Sequence, residues 1–283
     1  MLSFRSSMKI HVRKFFGTEI DSLQRIFGRK DKTFAGEFHS LSNILSSIGS
    51  PKNFNFVDIG AGDGFNMSVA FPLMKYFDAN GLLIEPDEYQ LNKAKKLYKN
   101  RSRFGFSSEF LTPNNARETL DHAGFPNPLY IKVDIDSFDL DIIRSLLAHK
   151  IRPKIFSIEV NELMPPPVRF EVRYTDGISD IKHPLVGCSL QSAYDLAKSH
   201  GYFLHSLAFN NAFFVSDEYL AIAFGVSEKS PEDAFVEGFL SREWQKLFPW
   251  DIKFKDWIMV SPIDLIQIIR ELPEFDKRYM EVS

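Results

Sequence analysis

The sequence predicts an α/β protein with a doubly wound, mostly parallel sheet of seven strands. The last two strands form an antiparallel hairpin, and a helical C-terminal extension follows. Apolar runs of strand length alternate with stretches of helical period between residues 54 and 200. Gly60, Gly62 and Gly64 follow the first run at every second position, and Glu85 closes the second run. Together these observations indicate a sheet that holds a ligand at the carboxyl ends of its strands.

The composition is that of an ordinary globular protein and narrows the possible functions. The chain has 34 Lys and Arg against 37 Asp and Glu, so it lacks the basic excess typical of nucleic-acid-binding proteins. No apolar run is long enough to predict a membrane span. The single cysteine, Cys188, excludes an intrachain disulfide and a Cys-rich zinc site. It fits a reducing compartment, and we predict a cytoplasmic protein.

Three segments are predicted: a basic, helical N-terminal segment (1–49), a ligand-binding domain (50–216) and a helical extension (217–283). The first 17 residues carry four basic side chains and no acid, which fits either a basic surface arm or an organelle presequence. An arm of this kind that recruits RNA is a further alternative. The extension holds all three tryptophans, which we expect to pack its helices: Trp244, Trp250 and Trp257. A homo-oligomer interface and an active-site lid are alternatives for this aromatic segment.

In the first half of the domain, apolar runs predict strands over residues 54–59, 81–85, 104–111 and 129–133. Helical spacing predicts helices over 66–77, 88–99, 114–122 and 140–147. Asp87 is the expected N-cap of the second helix, whose later turns are rich in lysine. Thr112 is the expected N-cap of the third, with Pro113 at the first helical position.

The second half begins with a fifth strand, over 154–160. The segment 162–187 contains Pro165, Pro166, Pro167 and Pro184, which break helices and sheets, and we expect a long substrate loop there. Ser189 caps a helix that Gly201 ends. Strands over 202–209 and 212–215 then form the hairpin, joined by Asn210 and Asn211, since asparagine tolerates the positive φ of a tight turn.

The glycine turn suits a ligand that approaches the backbone closely, and two cofactor classes use such a turn. A pyrophosphate-binding G-x-G-x-x-G would need a small residue at position 65, where the chain has Phe65. The pattern G-x-G-x-G led by Asp58 suits a ligand without phosphate, whose ammonium group Asp58 or Asp63 can meet directly or through water. Glu85 can accept hydrogen bonds from both ribose hydroxyls of an adenosine.

Two segments, V-D-I-G-A-G-D-G (57–64) and L-L-I-E-P-D (82–87), resemble the first and second motifs of class I S-adenosylmethionine-dependent methyltransferases. The resemblance covers roughly residues 50–216 and implies a Rossmann-like fold with S-adenosylmethionine as the cofactor. It extends to the reversed last two strands. The residues that it implies as cofactor contacts are Asp58, Gly60, Ala61, Gly62, Asp63, Glu85, Pro86, Asn115 and Asp134.

Two further segments, K-V-D-I-D (132–136) and S-I-E-V-N (157–161), look like the FkbM-type branch of that family. Members of that branch methylate hydroxyl groups on sugars, polyketides and other natural products. Asp136 and Ser137 stand where the branch usually has Glu-Gly. The resemblance implies a small-molecule or glycan-like acceptor with a hydroxyl group.

Acidic and amide side chains follow the fourth and fifth strands, at Asp134 and Asp136 and at Glu159 and Asn161. Their oxygen atoms could hold a Mg²⁺ that binds the acceptor and lowers the pKa of its hydroxyl. In the metal-free alternative Asp136 is the general base, while Asp134 and Glu159 make capping or ribose hydrogen bonds.

Two histidines are further candidates for the base, His183 in the proline-rich loop and His205 on a predicted strand. Two other function classes stay open. One is an NAD-linked oxidoreductase, and the other is a module that binds S-adenosylmethionine without catalysis.

Overall fold

The computed structural model describes residue 33 and residues 36–178, 181–220, 228–241 and 251–283. The basic stretch in the first 17 residues lies outside these residues, as do Trp244 and Trp250. Among the described residues, no helix is long and apolar enough to cross a membrane.

Nine strands occur in the described part of the chain: β1 Asn55–Ile59, β2 Asn80–Ile84, β3 Phe104–Ser107, β4 Tyr130–Val133, β5 Ile155–Glu159, β6 Phe170–Val172, β7 Tyr202–Ala208, β8 Asn211–Ser216 and β9 Met280–Val282. Seven of them form one sheet in the order β3-β2-β1-β4-β5-β8-β7. The pairs among β1 to β5 are parallel, and β8 pairs antiparallel with both β5 and β7. The predicted fold class, a Rossmann-like sheet with a reversed final hairpin, is confirmed.

The helices of the described residues are α1 Glu37–Ser47, α2 Ala70–Phe77, α3 Glu88–Leu97, α4 Ala116–His122, α5 Asp139–Ala148, α6 Leu190–Ser199, α7 Pro231–Phe235 and α8 Pro262–Glu271. Further helical turns, not of the α type, cover Asp217–Tyr219, Val236–Leu240 and Ile252–Met259. Successive side chains of a strand point to opposite faces, so each face of the sheet has its own apolar core. Val57 and Ile131 belong to one core, and Phe56 and Tyr130 belong to the other.

Capping residues explain where two of the helices begin. Asp87 accepts hydrogen bonds from the N–H groups of Tyr89 and Gln90, and Ser189 accepts one from Ser192, as predicted. Two predicted helix starts are wrong. Helix α2 begins at Ala70, not at residue 66.

Helix α4 begins at Ala116, two residues after the predicted start, and Thr112 does not cap it with its side chain. The backbone N–H of Thr112 instead donates to Oδ1 of Asn115 at 2.8 Å, which closes a turn ahead of the helix. Strand β3 also ends at Ser107 rather than at Leu111. A turn therefore occupies the residues between this strand and helix α4.

The segment 162–187 is not wholly irregular, because it contains strand β6, which the prolines led us to miss. Strand β6 pairs antiparallel with β9 near the C-terminal end of the chain. Arg169 and Ser283 exchange two backbone hydrogen bonds, of 2.8 and 2.9 Å. The extension predicted as helical therefore contributes a strand to the predicted substrate loop.

The turn of the final hairpin differs from the prediction by one residue. Phe209 takes the positive φ of 63°, and Asn211 already belongs to β8. The Phe209 ring is buried and lies 5.6 Å from the ring of Phe239, measured between centroids. Burial of a large ring therefore offsets the cost of a left-handed backbone at this position.

Candidate functional site

The three glycines of the turn after β1 have positive φ angles, but their surroundings differ. A Cβ on Gly60 would lie 1.8 Å from the carbonyl oxygen of Asp134, and one on Gly64 would lie 2.9 Å from Cδ1 of Leu83. A Cβ on Gly62 would meet no atom of the described residues within 4 Å. Packing therefore requires glycine at 60 and 64, whereas position 62 faces open space that a ligand can enter.

The turn and the acid of the second strand are joined directly. The N–H of Gly62 donates to Oε2 of Glu85 at 2.8 Å, and the N–H of Asp87 donates to Oε1 at 2.9 Å. The buried Glu85 carboxylate is thereby held in one orientation at the end of β2. Each of its oxygens has a second lone pair for a ligand hydroxyl.

The two aspartates of the turn hold its structure. Asp63 accepts hydrogen bonds from the backbone N–H groups of Phe65 and Asn66 at 3.1 and 2.8 Å, so its carboxylate closes the turn ahead of α2. Asp58 is 1% exposed and accepts a hydrogen bond from the hydroxyl of Ser68 at 2.7 Å. Contact of either aspartate with a ligand's ammonium group stays a prediction.

Asn115, which the resemblance implies as a cofactor contact, lies in the turn between β3 and α4. Besides accepting from Thr112, Asn115 donates from Nδ2 to the carbonyl of Phe110 at 3.2 Å. Phe110 is 47% exposed, and its ring lies 6.2 Å from the buried ring of Phe138. Pro86 is half-buried next to Glu85, and the buried Ala61 donates its N–H to the carbonyl of Ile84 at 3.2 Å. Phe110 thus offers an exposed aromatic ring next to Asn115, on which an adenine could stack.

Three of the predicted acids meet at the carboxyl ends of β4 and β5. One carboxylate oxygen from each of Asp134, Asp136 and Glu159 lies within 4.8 Å of the other two. Burial raises the pKa of Glu159 well above its ordinary value, and the charges of Asp134 and Asp136 raise it further. Oxygen atoms in this arrangement favour a proton or a cation between them.

Asn161, the fourth predicted metal ligand, forms hydrogen bonds within the loop that follows β5. Its Nδ2 donates to the carbonyls of Pro184 and Val186 at 2.7 and 3.1 Å, and its Oδ1 accepts from the N–H of Leu163 at 3.1 Å. The side chain therefore has a structural role here. The three carboxylates are the better-placed ligand candidates.

A buried lysine lies behind the acids, and the sequence analysis did not assign it a role. Lys132 Nζ lies 2.9 Å from Oε1 of Glu37 and 3.3 Å from Oδ2 of Asp134. Its side chain is 3% exposed. Burial opposes the charge on Lys132, but Glu37 and Asp134 together raise its pKa well above the ordinary value. Asp134 therefore keeps a permanent cation on its buried side.

The predicted base His183 has an acidic partner that the sequence analysis missed. Nε2 of His183 bonds to Oδ1 of Asp251, which is buried at the start of the 252–259 helical turn. Asp251 also interacts with a second buried acid, Glu162. Burial raises the pKa of Glu162 well above its ordinary value, and the charge of Asp251 raises it further. No sequence pattern connects residues 183 and 251, because tertiary folding alone brings them together.

His205 lies on β7 with its ring nitrogen Nδ1 2.9 Å from the hydroxyl of Ser206. Burial lowers its pKa to about 4, with a smaller contribution from Lys229. A base with so low a pKa is weak at neutral pH. His183 is therefore the better candidate of the two histidines.

The chain was compared with known families, curated proteins and solved structures. No family model and no curated protein sequence matches the chain. Among solved structures, the chain is similar to TrmK from M. capricolum, solved with S-adenosyl-homocysteine. The identity is 13%, the TM-score is 0.39, and the match covers 84% of this chain and 90% of that one. It is also similar to a precorrin-6y C5,15-methyltransferase from Geobacter metallireducens, with 14% identity, a TM-score of 0.39 and coverage of 62% and 85%. Likenesses this remote leave the chemistry to be argued from the chain's own residues.

Proposed function

We propose that this chain is an S-adenosylmethionine-dependent methyltransferase that methylates a hydroxyl group of a small-molecule or glycan-like acceptor, with Mg²⁺ bound beside that acceptor. The observation that carries the proposal is the bond from the N–H of Gly62 to Glu85. It brings a glycine whose Cα side leaves room for a ligand next to a fixed carboxylate. A nucleoside that carries an amino-acid chain needs this pair of surfaces.

The same turn is a poor match for a dinucleotide. A pyrophosphate is bound at the N-terminus of a helix that follows the glycine turn directly. Here α2 begins at Ala70, six residues after Gly64, and the Phe65 ring packs against Phe71 with 4.9 Å between centroids. The NAD-linked alternative therefore loses its phosphate site.

Each set of residues has a separate task in the proposed reaction. S-adenosylmethionine, when bound, supplies an electrophilic methyl group. Glu85 orients the ribose, while the backbone at Gly62 leaves room for the methionyl chain. His183 or Asp136 accepts the hydroxyl proton of the acceptor at the ends of β4 and β5.

Asp134, Asp136 and Glu159 are the residues that would hold Mg²⁺. Their ligand atoms are carboxylate oxygens, the hard donors that Mg²⁺ prefers. The negative charges of these three acids lie close together and favour a cation between them. A Mg²⁺ held there would act as a Lewis acid toward the acceptor hydroxyl. The resemblance of residues 132–136 and 157–161 to the FkbM-type branch supports a hydroxyl acceptor.

Transfer of an isotope-labelled methyl group from S-adenosylmethionine to a panel of acceptors tests this function. The panel contains methyl glycosides and catechols, with matched amines, each assayed with Mg²⁺ and with EDTA. We expect transfer to hydroxyl compounds that EDTA suppresses. The variant Asp136→Asn should bind S-adenosylhomocysteine normally and lose at least about 100-fold in rate. Transfer to amines alone, or cofactor binding without any transfer, would contradict the proposal; the second result would favour the catalytically silent module.

A further inference from the structure

The C-terminal extension reaches the candidate active site through one side chain. Asp251 has a side chain that is 3% exposed, and it bonds to Nε2 of His183, whose side chain is 20% exposed. The two residues are 68 positions apart in sequence. A buried carboxylate on a partly exposed imidazole matches the orienting arrangement of general-base histidines.

Hydrogen bonds of the residues that follow His183 place its loop at the carboxyl ends of the central strands. The carbonyl of Pro184, the next residue, accepts a 2.7 Å hydrogen bond from Asn161, just beyond β5. The N–H of Gly187 donates to the carbonyl of Ser137, beyond β4, at 2.9 Å. The imidazole also packs against the ring of Phe254, with 5.6 Å between the ring centroids. This loop therefore crosses the two strand ends that carry the acids Asp134, Asp136 and Glu159.

We infer that Asp251 is a positioning residue for His183, and that the C-terminal extension thereby completes the methyltransferase site. The inference rests on the proposed function. A neutral imidazole carries one N–H. Because Asp251 accepts the proton of Nε2, Nδ1 keeps the lone pair that takes the acceptor's proton.

The proton and charge balance of this step is complete. As the acceptor oxygen forms its bond to the methyl carbon, the carbon–sulfur bond breaks and its electron pair stays on sulfur. The hydroxyl proton passes to Nδ1 of His183. The sulfonium becomes a neutral thioether, and the resulting imidazolium carries the positive charge beside the Asp251 carboxylate.

Nitrogen-15 NMR of histidine-labelled protein, saturated with S-adenosylhomocysteine, tests the inference, because the shifts of the two ring nitrogens show which one is protonated. The His183 signals are assigned by their absence in His183→Gln. We expect His183 to be protonated on Nε2 in the wild-type chain. Asp251→Asn should lose this preference, since an amide can donate as well as accept.

The same variant should transfer methyl groups at least about tenfold more slowly to the best acceptor of the panel, with its affinity for S-adenosylhomocysteine within about twofold of wild type. The matched control is Asp256→Asn, which removes an exposed carboxylate from the same helical turn. It should change neither the His183 tautomer nor the transfer rate. Protonation on Nδ1 in the wild-type chain would overturn the inference even if Asp251→Asn did not fold. So would an unchanged tautomer and rate in Asp251→Asn. Failure of the wild-type chain to bind S-adenosylhomocysteine would instead count against the proposed function.

Discussion

At the scale of single residues, the three glycines of the turn after β1 differ in their surroundings. A Cβ added at Gly60 or Gly64 would collide with the protein's own atoms, whereas one added at Gly62 would meet no atom of the described residues within 4 Å. All three have positive φ, so the backbone conformation does not distinguish them. The positions differ in the atoms that an added methyl group would meet.

Alanine at Gly62 and alanine at Gly60 should therefore have different effects. Gly62→Ala should cost about 1–2 kcal/mol of stability from its left-handed backbone and weaken S-adenosylhomocysteine binding at least about tenfold. Gly60→Ala should lose considerably more stability, because its Cβ would collide with the carbonyl of Asp134. Urea denaturation and calorimetric titration measure the two effects. Normal cofactor affinity in Gly62→Ala would show that the ligand lies elsewhere.

Asp139, which follows the acids of β4, makes the stability of the fold depend on pH. It is 1% exposed and accepts hydrogen bonds from the N–H groups of Ile135 and Ser137 at 2.7 and 2.9 Å. Burial raises its pKa from 3.8 to about 7. Between these pH values the folded chain keeps a proton that the unfolded chain has released, so the contribution to stability is lost as pH rises.

The variant Asp139→Asn should therefore show a weaker pH dependence than the wild type. The contribution of this one proton is at most about 1.4 kcal/mol per pH unit between pH 4 and 7. Free energies of unfolding in urea at pH 5, 6 and 7 measure the difference between the two slopes. Parallel slopes in the two proteins would show that Asp139 is not protonated in the folded state.

At the scale of elements, α1 is joined to the central strand β4 by the pair Glu37 and Lys132. Glu37 lies in the first turn of α1 and is 0% exposed. The pair lies on the same face of the sheet as Asp58, which is in register with Lys132 on the neighbouring strand. Helix α1 therefore packs behind both the glycine turn and the acids at the end of β4.

Breaking this ion pair should cost much more than replacing both partners. Lys132→Met leaves Glu37 buried without its cation and should lose about 3–5 kcal/mol, whereas the double variant with Glu37→Met should recover most of that loss. The exposed pair Arg117 and Asp121 is the control and should contribute less than about 1 kcal/mol. Urea denaturation of the double-mutant cycle measures the coupling. Additive losses in the buried pair would mean that the two charges do not stabilise one another.

The sequence predicted those elements whose signals are local. Apolar runs located the seven strands of the main sheet, and Asp87 and Ser189 located two helix starts. It misplaced the start of α2 because the carboxylate of Asp63 holds the next N–H groups in a turn. That competition between a side chain and helix formation leaves no signal in hydrophobic periodicity.

At the scale of the whole molecule, the C-terminal extension is packed onto the domain at several places. Strand β9 pairs with β6, and the buried side chains of Trp257, Leu265 and Ile269 belong to the same core as Val57 of β1. The site needs this packing for the contact of Asp251 with His183. Contacts of this range could not be predicted, since each requires the folded arrangement of segments far apart in sequence.

Deletion of residues 279–283 should loosen only the β9 side of β6. The N–H groups of Arg169 and Arg173 donate to the carbonyls of Ser283 and Tyr279, and their hydrogen exchange should accelerate at least about tenfold. The N–H of Val172 donates to the carbonyl of Gly187 and is an internal control within the same strand. Hydrogen-exchange NMR gives these rates. Loss of S-adenosylhomocysteine binding in this truncated chain would show that the extension also shapes the cofactor site.

The most direct test of the account is calorimetric titration of the chain with S-adenosylhomocysteine and with NAD⁺. We predict one S-adenosylhomocysteine site per chain, with no binding of NAD⁺. The variant Glu85→Ala should weaken that site at least about tenfold, because each hydrogen bond to a charged acceptor is worth about 1.5–3 kcal/mol. The exposed neighbour variant Glu88→Gln should bind as wild type does. Binding of NAD⁺ in place of S-adenosylhomocysteine, or an affinity that Glu85→Ala leaves unchanged, would contradict the account.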